Sequence, residues 1–536
     1  MGSGHILVYA FDVLIQLYIA EGFRERDAVE LILRDNLYGL DIDKRAFQLA
    51  YFALMMKARQ YSRRILNKHI KLNVYKVPGE AGINESDIKL LPMNFPNQEK
   101  AFEDLETLVT NFKYGSDLGS LIEFKYIDFE NLKSGLNTEN ISLFDDDIRK
   151  MVCVGELLQQ KYDIAVTNPP YMGSSGMNKV LSTFVKKFFP NSKSDLFGVF
   201  IERLEKMVKL SGYYSMITQH AWMFLASFEK LRNKINKQTI INMLHLGTRA
   251  FEEIGGEVVQ TTTFVMSPVN YQNYIGSYVR LVNFENHKLK EEKALEAIKK
   301  EKTDYLYTTV QNNFTKIPGQ PISYWVSENV FQLYDENSFV SSVGSAVKGI
   351  DTGNNNYFLK YWFEINKNKT SFLGKQHKWF PYNKGGKFRR WYGNREYLIN
   401  YENNGYELKN FSKSNLRNKN KYLLPSLSWS TVTSSRLSVR ANESGFLFDN
   451  GGSSYFSDEV HLIKVLALLN SRVAENLLQL SPTLNFQPGD IGKVIYLLKI
   501  DNNNTIDTFA KTNIELVKKD WDSFETSWDF TRHPLI

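Results

Sequence analysis

The first 285 residues alternate between two hydrophobic periods. Short apolar runs, Tyr162–Thr167 (YDIAVT), Gly212–Thr218, Ile240–Leu246 and the β-branched Val258–Met266, read as buried strands. Between them, Asp195–Lys209 and Leu225–Ile235 carry helical spacing. Earlier in the chain, Leu37–Asp43 (LYGLDID) reads as a strand ending in an acid, with a helix to follow over Arg45–Arg64. Ile6–Phe11 reads as the start of another helix. This alternation predicts an α/β unit whose sheet closes with Val258–Met266. His287–Asp304 (HKLKEEKALEAIKKEKTD) is highly charged at helical spacing and reads as a solvated linker helix. Beyond it come short strands, glycines and asparagines, with one long helix over Leu462–Leu480 and a brief polar turn at Asn502–Asn504. The expected organisation is residues 1–285, a linker helix at 286–304, and a mixed α+β domain at 305–536.

Charge sharpens the division. Val343–Arg440 holds 18 Lys plus Arg against five Asp plus Glu, a local surplus of 13, while the whole chain nets +7. The same region is dense in aromatics: Trp362, Trp379, Phe380, Tyr382, Phe388, Trp391 and Tyr392. Cations neutralise phosphates, and flat rings contact bases and sugars. Within it, Lys384, Lys387, Arg389, Arg390 and Trp391 lie in one glycine-containing stretch (KGGKFRRWYGN) and are the candidate DNA contacts. The plain alternative is an exposed loop that cations keep soluble.

Two loops carry candidate chemistry. Asn168-Pro169-Pro170-Tyr171 follows the run Tyr162–Thr167, and two prolines there stop the strand and stiffen the backbone. Open α/β sheets bind ligands beyond the carboxyl ends of their strands. The Asn168 carbonyl and the Pro169 backbone carbonyl can accept hydrogens from an exocyclic amine, and Tyr171 can stack on a flat base. The alternative is an ordinary Pro-Pro turn. Gly2-Ser3-Gly4 precedes the first helix, where glycines allow close approach to free N–H groups; a tag remnant is the alternative. Asp41, followed by Ile42, stands where a ribose diol finds its acceptor. A helix cap is the competing role for Asp41, and Asp43 is the better cap candidate.

In this order, Gly-Ser-Gly, Gly-Leu-Asp-Ile-Asp and Asn-Pro-Pro-Tyr resemble the γ-class N6-adenine DNA methyltransferases. The resemblance implies a Rossmann-like domain that binds S-adenosylmethionine. The strand that usually precedes the glycine loop in that family is absent, so the first strand is expected to be missing. Gly349–Gly353, Lys384–Asn394 and Asn485–Ile491 are similar to target-recognition segments of the PglX-like methyltransferases of BREX phage-defence systems, relatives of the Eco57I-type restriction–modification enzymes. Members are longer at both ends, and Trp528–Pro534 resembles a point from which they continue, so the chain reads as truncated. The resemblance implies site-specific methylation of adenine N6 in duplex DNA for self-marking. It assigns Asn168, Pro169, Pro170 and Tyr171 to catalysis, Gly2, Ser3, Gly4, Asp41, Ile42 and Asp117 to the cofactor, and Tyr171 and Phe251 to packing the target base. For Asp117 a turn role competes, and for Phe251 a core role. Partners implied are double-stranded DNA and other BREX proteins.

Several classes fall away. One cysteine, Cys153, excludes a disulfide framework and fits a reducing cytoplasm. Ile6–Ala20 is interrupted by Asp12 and Gln16, so no membrane span is expected. The histidines show no metal-like spacing with the cysteine, and no metal is expected. Three readings compete: a protein-glutamine methyltransferase, which shares Asn-Pro-Pro-Tyr but is compact; the modification part of a restriction enzyme; and a DNA-binding fragment without activity.

Overall fold

Tyr214, Met216 and Thr218 bury every second side chain of β4 (Val208–Gln219), the alternation of a strand covered on one face. Around it lie β3 (Tyr162–Thr167), β5 (Thr239–Gly247), β6 (Thr261–Ser267), β7 (Ile275–Arg280) and β8 (Leu306–Val310), in the order β3-β4-β6-β5-β7-β8. β3 runs parallel to β4, and β6 runs antiparallel to both β4 and β5. The carboxyl ends of β3, β4 and β5 therefore share one edge of the sheet. β1 (Tyr38–Asp41) and β2 (Asn73–Lys76) form a separate parallel pair. The Tyr38 and Tyr162 rings meet edge-on at 5.3 Å, linking β1 to β3. β3 is an edge strand, and its Ile164 and Val166 are 66% and 48% exposed.

In this computed structural model the chain divides into two units, Met1–Thr315 and Lys316–Ile536. The structure describes residues 1–68, 70–79, 88, 95–136, 145–251, 259–299, 303–371, 377–433, 436–478, 485–501 and 503–536. Two cores support the first unit. One joins α1 (His5–Ala20), α2 (Glu25–Leu31) and α3 (Lys44–Tyr61) through Phe11, Ile15, Val29, Leu54 and Ala58, with Val74 of β2 beneath. The other gathers α4 (Gln98–Phe112), α5 (Asp145–Gln159), α6 (Lys179–Phe188) and α7 (Leu196–Met207) around Leu108, Phe112, Val152, Val185 and Val199. Arg203 of α7 fastens this core to its loops, its guanidinium donating to the Ser120, Ile122 and Leu158 carbonyls.

Three expectations are corrected. Val258–Met266 does not close the sheet: β7 and β8 extend it on the far side of β5. The charged helix α8 (His287–Lys299) is not a solvated linker. Its Ala294 and Ala297 pack on Val279 and Leu281, and the buried Lys290 donates from Nζ to the Leu246 and Leu281 carbonyls. Its buried stripe is Lys290, Ala294 and Ala297, one charged and two small residues, too narrow to read in the sequence. The units consequently part after Thr315, not at 304, because β8 belongs to the first sheet.

The second unit holds two four-stranded sheets. Strands β9 (Ser345–Val347), β13 (Ser426–Ser428), β14 (Arg440–Asn442) and β16 (Ser454–Phe456) form the order β9-β16-β13-β14. Strands β10 (Leu359–Tyr361), β11 (Trp379–Asn383), β12 (Tyr397–Asn400) and β15 (Leu447–Phe448) form the order β10-β12-β11-β15 over a core containing Phe358, Phe380, Ile399 and Leu447. The long helix expected over Leu462–Leu480 is two, α9 (Glu459–Leu469) and α10 (Arg472–Leu478), and residues 479–480 lie outside the described residues. Asn470 ends the first: its buried amide exchanges two 3.0 Å hydrogen bonds with the Val439 backbone. Of the turn Asn502–Asn504, Asn502 lies outside the described residues, Asn503 caps the next helix, α11 (Asn504–Trp521), and Asn504 begins it. Among the described residues no helix is long and apolar enough to cross a membrane, and no group of potential metal ligands occurs.

Candidate active site and nucleic-acid interface

Asp43 caps α3, its carboxylate accepting from the Arg45 and Ala46 N–H groups. That leaves Asp41 a different task. Its Oδ2 accepts from Gly2 N at 2.8 Å and from the Met1 amine at 3.3 Å, and its Oδ1 accepts from Asp43 N at 2.9 Å. A carboxylate offers about four lone-pair sites, so one acceptor position on Oδ1 is left for a ligand. Asp41 thus latches the glycine loop to the tip of β1. Gly4 takes φ 93°, and a Cβ there would come within 2.8 Å of the Ala50 Cα on α3. Only glycine allows this approach of loop to helix. Ser3 is hydrogen-bonded from Oγ to His5 Nδ1 at 2.9 Å.

The second half of the site joins through the segment near Asp117. Ile42 is 48% exposed, and a Cβ on Gly119 would meet its Cγ2 at 2.7 Å. Asp117 Oδ1 accepts from Asn178 Nδ2 at 2.7 Å, and the Asn178 carbonyl oxygen caps α6. Asn178 lies seven residues beyond Tyr171. The structure therefore ties Gly2 to Asp41, seats Gly4 on α3, sets Ile42 against Gly119 and joins Asp117 to Asn178 at the start of α6. These residues fit the adenosyl part of S-adenosylmethionine: a helix N-terminus behind close-packed glycines, an acid with an acceptor to spare, and an exposed aliphatic side chain beside it.

Asn168 emerges from β3 exposed, with Pro169 buried beneath it and Pro170 exposed. Tyr171 is half-buried. Its hydroxyl donates to the Ile217 carbonyl at 3.4 Å and its ring meets Phe197 edge-on at 6.2 Å. Burial pushes its phenol up to about 12, so it stays neutral. Sequence reasoning missed what holds this loop. Asp195, the cap of α7, accepts from Met172 N at 3.1 Å and Phe197 N at 3.3 Å, and Leu196 N donates to the Met172 carbonyl. Its signal was a lone acid at a helix start, 24 residues from Tyr171. Phe251 is half-buried, four residues beyond the carboxyl end of β5. Residues 252–258 lie outside the described residues.

The sheet edge where β3, β4 and β5 end also holds a histidine pair no spacing announced. His220 Nδ1, just past the carboxyl end of β4, lies 2.8 Å from Nε2 of His245, near the carboxyl end of β5, although β6 runs between the two strands. Burial pushes His220 down to about 4 and His245 well below its ordinary 6.5, with His220, Arg280 and Lys290 adding to the latter. Both folded values lie below the unfolded one, so between about pH 6.5 and 4 the unfolded chain binds more protons. Stability present above pH 6.5 is expected to be lost as pH falls through that window. Circular-dichroism melts from pH 7.5 to 4.5 should show the midpoint falling, and a His220→Gln variant should fall less. Parallel profiles would remove the pair from the account.

In the second unit the candidate DNA loop is rigidly framed. Gly386 takes φ 133°, and its N–H donates to Ser430 Oγ at 2.9 Å. Trp391 takes φ 72°, unusual for a tryptophan. Its backbone is clamped by Val439 and Ala441, donating to one at 2.8 Å and accepting from the other at 2.9 Å. Arg389 is paired with Asp520 at 3.0 Å and lies over the Trp521 ring. Arg390 lies 3.7 Å from Glu475. Lys384 sits 4.9 Å above the Tyr397 ring, and Lys387 is exposed.

Known proteins resemble this chain in sequence and in fold. Residues 35–251 match the family model of the Eco57I restriction-modification methylases. The whole chain aligns at 43% identity with the adenine-specific methyltransferase PglX of Lacticaseibacillus casei (strain Zhang), covering 46% of that protein. It aligns at 40% identity with the adenine-specific methyltransferase BrxX of Escherichia coli O9:H4 (strain HS), again covering all of this chain and 46% of the relative. The chain spans about half the length of the curated relatives it matches. The ATP-dependent Type ISP restriction-modification enzyme LlaBIII, solved bound to DNA, matches in fold over 96% of this chain and 36% of its own, with TM-score 0.50 at 11% identity.

Proposed function

We propose that this chain, a relative of PglX and BrxX along its whole length, is the methyl-transferring and DNA-recognising part of a site-specific DNA methyltransferase acting on adenine N6, in self-marking for phage defence. The observation that supports the reading is the Gly2–Asp41 latch at the tip of β1, together with Asn168 standing exposed at the carboxyl end of β3 on a proline-stiffened loop.

A Rossmann-like sheet follows from placing one further parallel strand between β1 and β3, whose open edge exposes Ile164 and Val166. The order would then run β2-β1-x-β3-β4-β6-β5, a doubly wound arrangement with its ligands at the carboxyl ends. Gly2, Ser3, Gly4, Asp41 and Ile42 would hold S-adenosylmethionine by its ribose, and Asp117 would face its adenine. When bound, that cofactor supplies an electrophilic methyl.

Adenine N6 is a weak nucleophile because its lone pair is delocalised into the ring. The Asn168 and Pro169 carbonyl oxygens accept its two hydrogens, bias the nitrogen toward a tetrahedral shape and stabilise the positive charge that develops on it. Tyr171 and Phe251 sandwich the base, which must leave the duplex to reach them. Asp195 keeps the loop in place by holding Met172. In the second unit Lys384 and Lys387 contact phosphates, while Arg389, Arg390 and Trp391, held by their own partners, fix the loop's shape and leave further guanidinium N–H groups for base edges.

Titrating the chain with duplex DNA at several salt concentrations tests the interface. Lys387→Ala should weaken all sequences alike and lower the salt slope by about 1; an unchanged slope would leave Lys387 a solubilising residue. A second reading, DNA binding without methyl transfer, is favoured by the open edge of β3. Calorimetry with S-adenosylmethionine separates the two, using this chain beside a chimera that carries the preceding segment of the L. casei relative. Binding by neither protein leaves only the second reading.

A further inference from the structure

In the second unit the core row Leu359, Ile399 and Phe380 crosses β10, β12 and β11. Two residues on, the same face carries Tyr361, Tyr397 and Tyr382. Tyr382 is buried at 1% exposure, whereas Tyr361 is 41% exposed. At this end the rings leave the core as a column. Tyr397 and Tyr361 stack at 4.8 Å, and Tyr397 donates its hydroxyl to that of Tyr361 at 3.1 Å. Phe363 stacks on Tyr361 at 5.3 Å with its plane only 4° away. Phe363 ends the column 65% exposed. At the other end Lys384 Nζ lies 4.9 Å over the Tyr397 ring.

Exposed aromatics usually pack edge-on or offset against neighbours that hide them. Here the rings, tilted by 30° at the inner pair and offset and nearly parallel at the outer, lead outward from a core to an open face, and Trp362 braces Phe363 edge-on while donating from Nε1 to the Thr526 carbonyl. Two acids lie beside the column: Glu364 accepts from Tyr361 N at 2.6 Å, and Glu396 lies close enough to Tyr397 to act on its hydroxyl. The column begins at Lys384, the first residue of the loop that exposes Lys387, within the segment of 18 cations against five acids. Such a surface is complementary to a polyanion that carries flat rings.

We infer that the Lys384–Tyr397–Tyr361–Phe363 column is a stacking platform for DNA, on whose outer face, Phe363, an unpaired or displaced nucleobase continues the stack. The inference rests on the DNA-binding reading above. It adds a contact that is neutral and indifferent to base identity, next to the phosphate contacts of the loop.

The test uses the full chain, with fluorescence-anisotropy titrations of a fully paired duplex and of the same duplex carrying one unpaired base. Phe363→Ala should weaken binding about 5- to 150-fold, the range for loss of one base–aromatic stack. The loss should be larger on the unpaired-base duplex, and the salt slope should stay unchanged. Phe363→Trp should restore binding and Phe363→Leu should not, because leucine keeps apolar bulk without a π face. Because Phe363 is exposed, the melting midpoint should hold in all three. Equal affinity of Phe363→Ala and the unaltered chain would overturn the platform while leaving the Lys387 result, and hence DNA binding, intact. Rescue by Leu would also overturn it, and no DNA binding by the unaltered chain would remove the reading on which it rests.

Discussion

Replacing Asn168 with alanine in a cofactor-binding form of this chain is expected to slow methyl transfer to DNA at least ~100-fold, the loss seen when one polar group positioned for the transition state is removed. The side chain stands exposed at the end of β3, on a backbone stiffened by Pro169 and Pro170. It contributes to no core, so the fold should survive, and S-adenosylmethionine affinity should stay within a factor of two or so, as it does when an interaction made only in the transition state is lost. Single-turnover rates with radiolabelled cofactor, beside calorimetric affinity, separate the two quantities. A rate loss matched by an equal loss of cofactor affinity would assign Asn168 to binding instead.

The second large effect belongs to Asp41. A charge-assisted hydrogen bond contributes ~1.5–3 kcal/mol net, so Asp41→Ala should weaken S-adenosylmethionine roughly 10–150-fold while DNA binding stays nearly intact. The latch complicates the reading, because Asp41 also holds Gly2, the Met1 amine and Asp43. Asp41→Asn resolves it. The amide keeps one oxygen for a backbone N–H but loses the charge, so a ribose contact should remain weakened while the melting point recovers. Unchanged cofactor affinity in both variants, with a lowered melting point in the alanine form, would reduce Asp41 to a turn residue.

Much of the site was legible because its signals are local. Asp43 precedes a helical run and caps it. Asn168 follows a strand that two prolines terminate, and β3 ends there. What escaped depends on residues far apart in the chain. His220 and His245 are separated by 25 positions and meet only because β4 and β5 both flank β6. Asp195 reads as a plain helix cap until its carboxylate is seen to reach Met172. Charge counting found the basic segment, but it could not reveal that Asp520 and Glu475 already engage Arg389 and Arg390. The helix His287–Lys299 misled in the opposite way, since two alanines and a buried lysine carry its packing.

The most direct test is mass spectrometry of nucleosides from duplex DNA incubated with S-adenosylmethionine and the chimera carrying the preceding segment of the L. casei relative. The account predicts N6-methyldeoxyadenosine confined to one sequence context and abolished by Asn168→Ala. Methyl groups on cytosine or on protein glutamine instead, or an undiminished yield from the Asn168→Ala form, would contradict it.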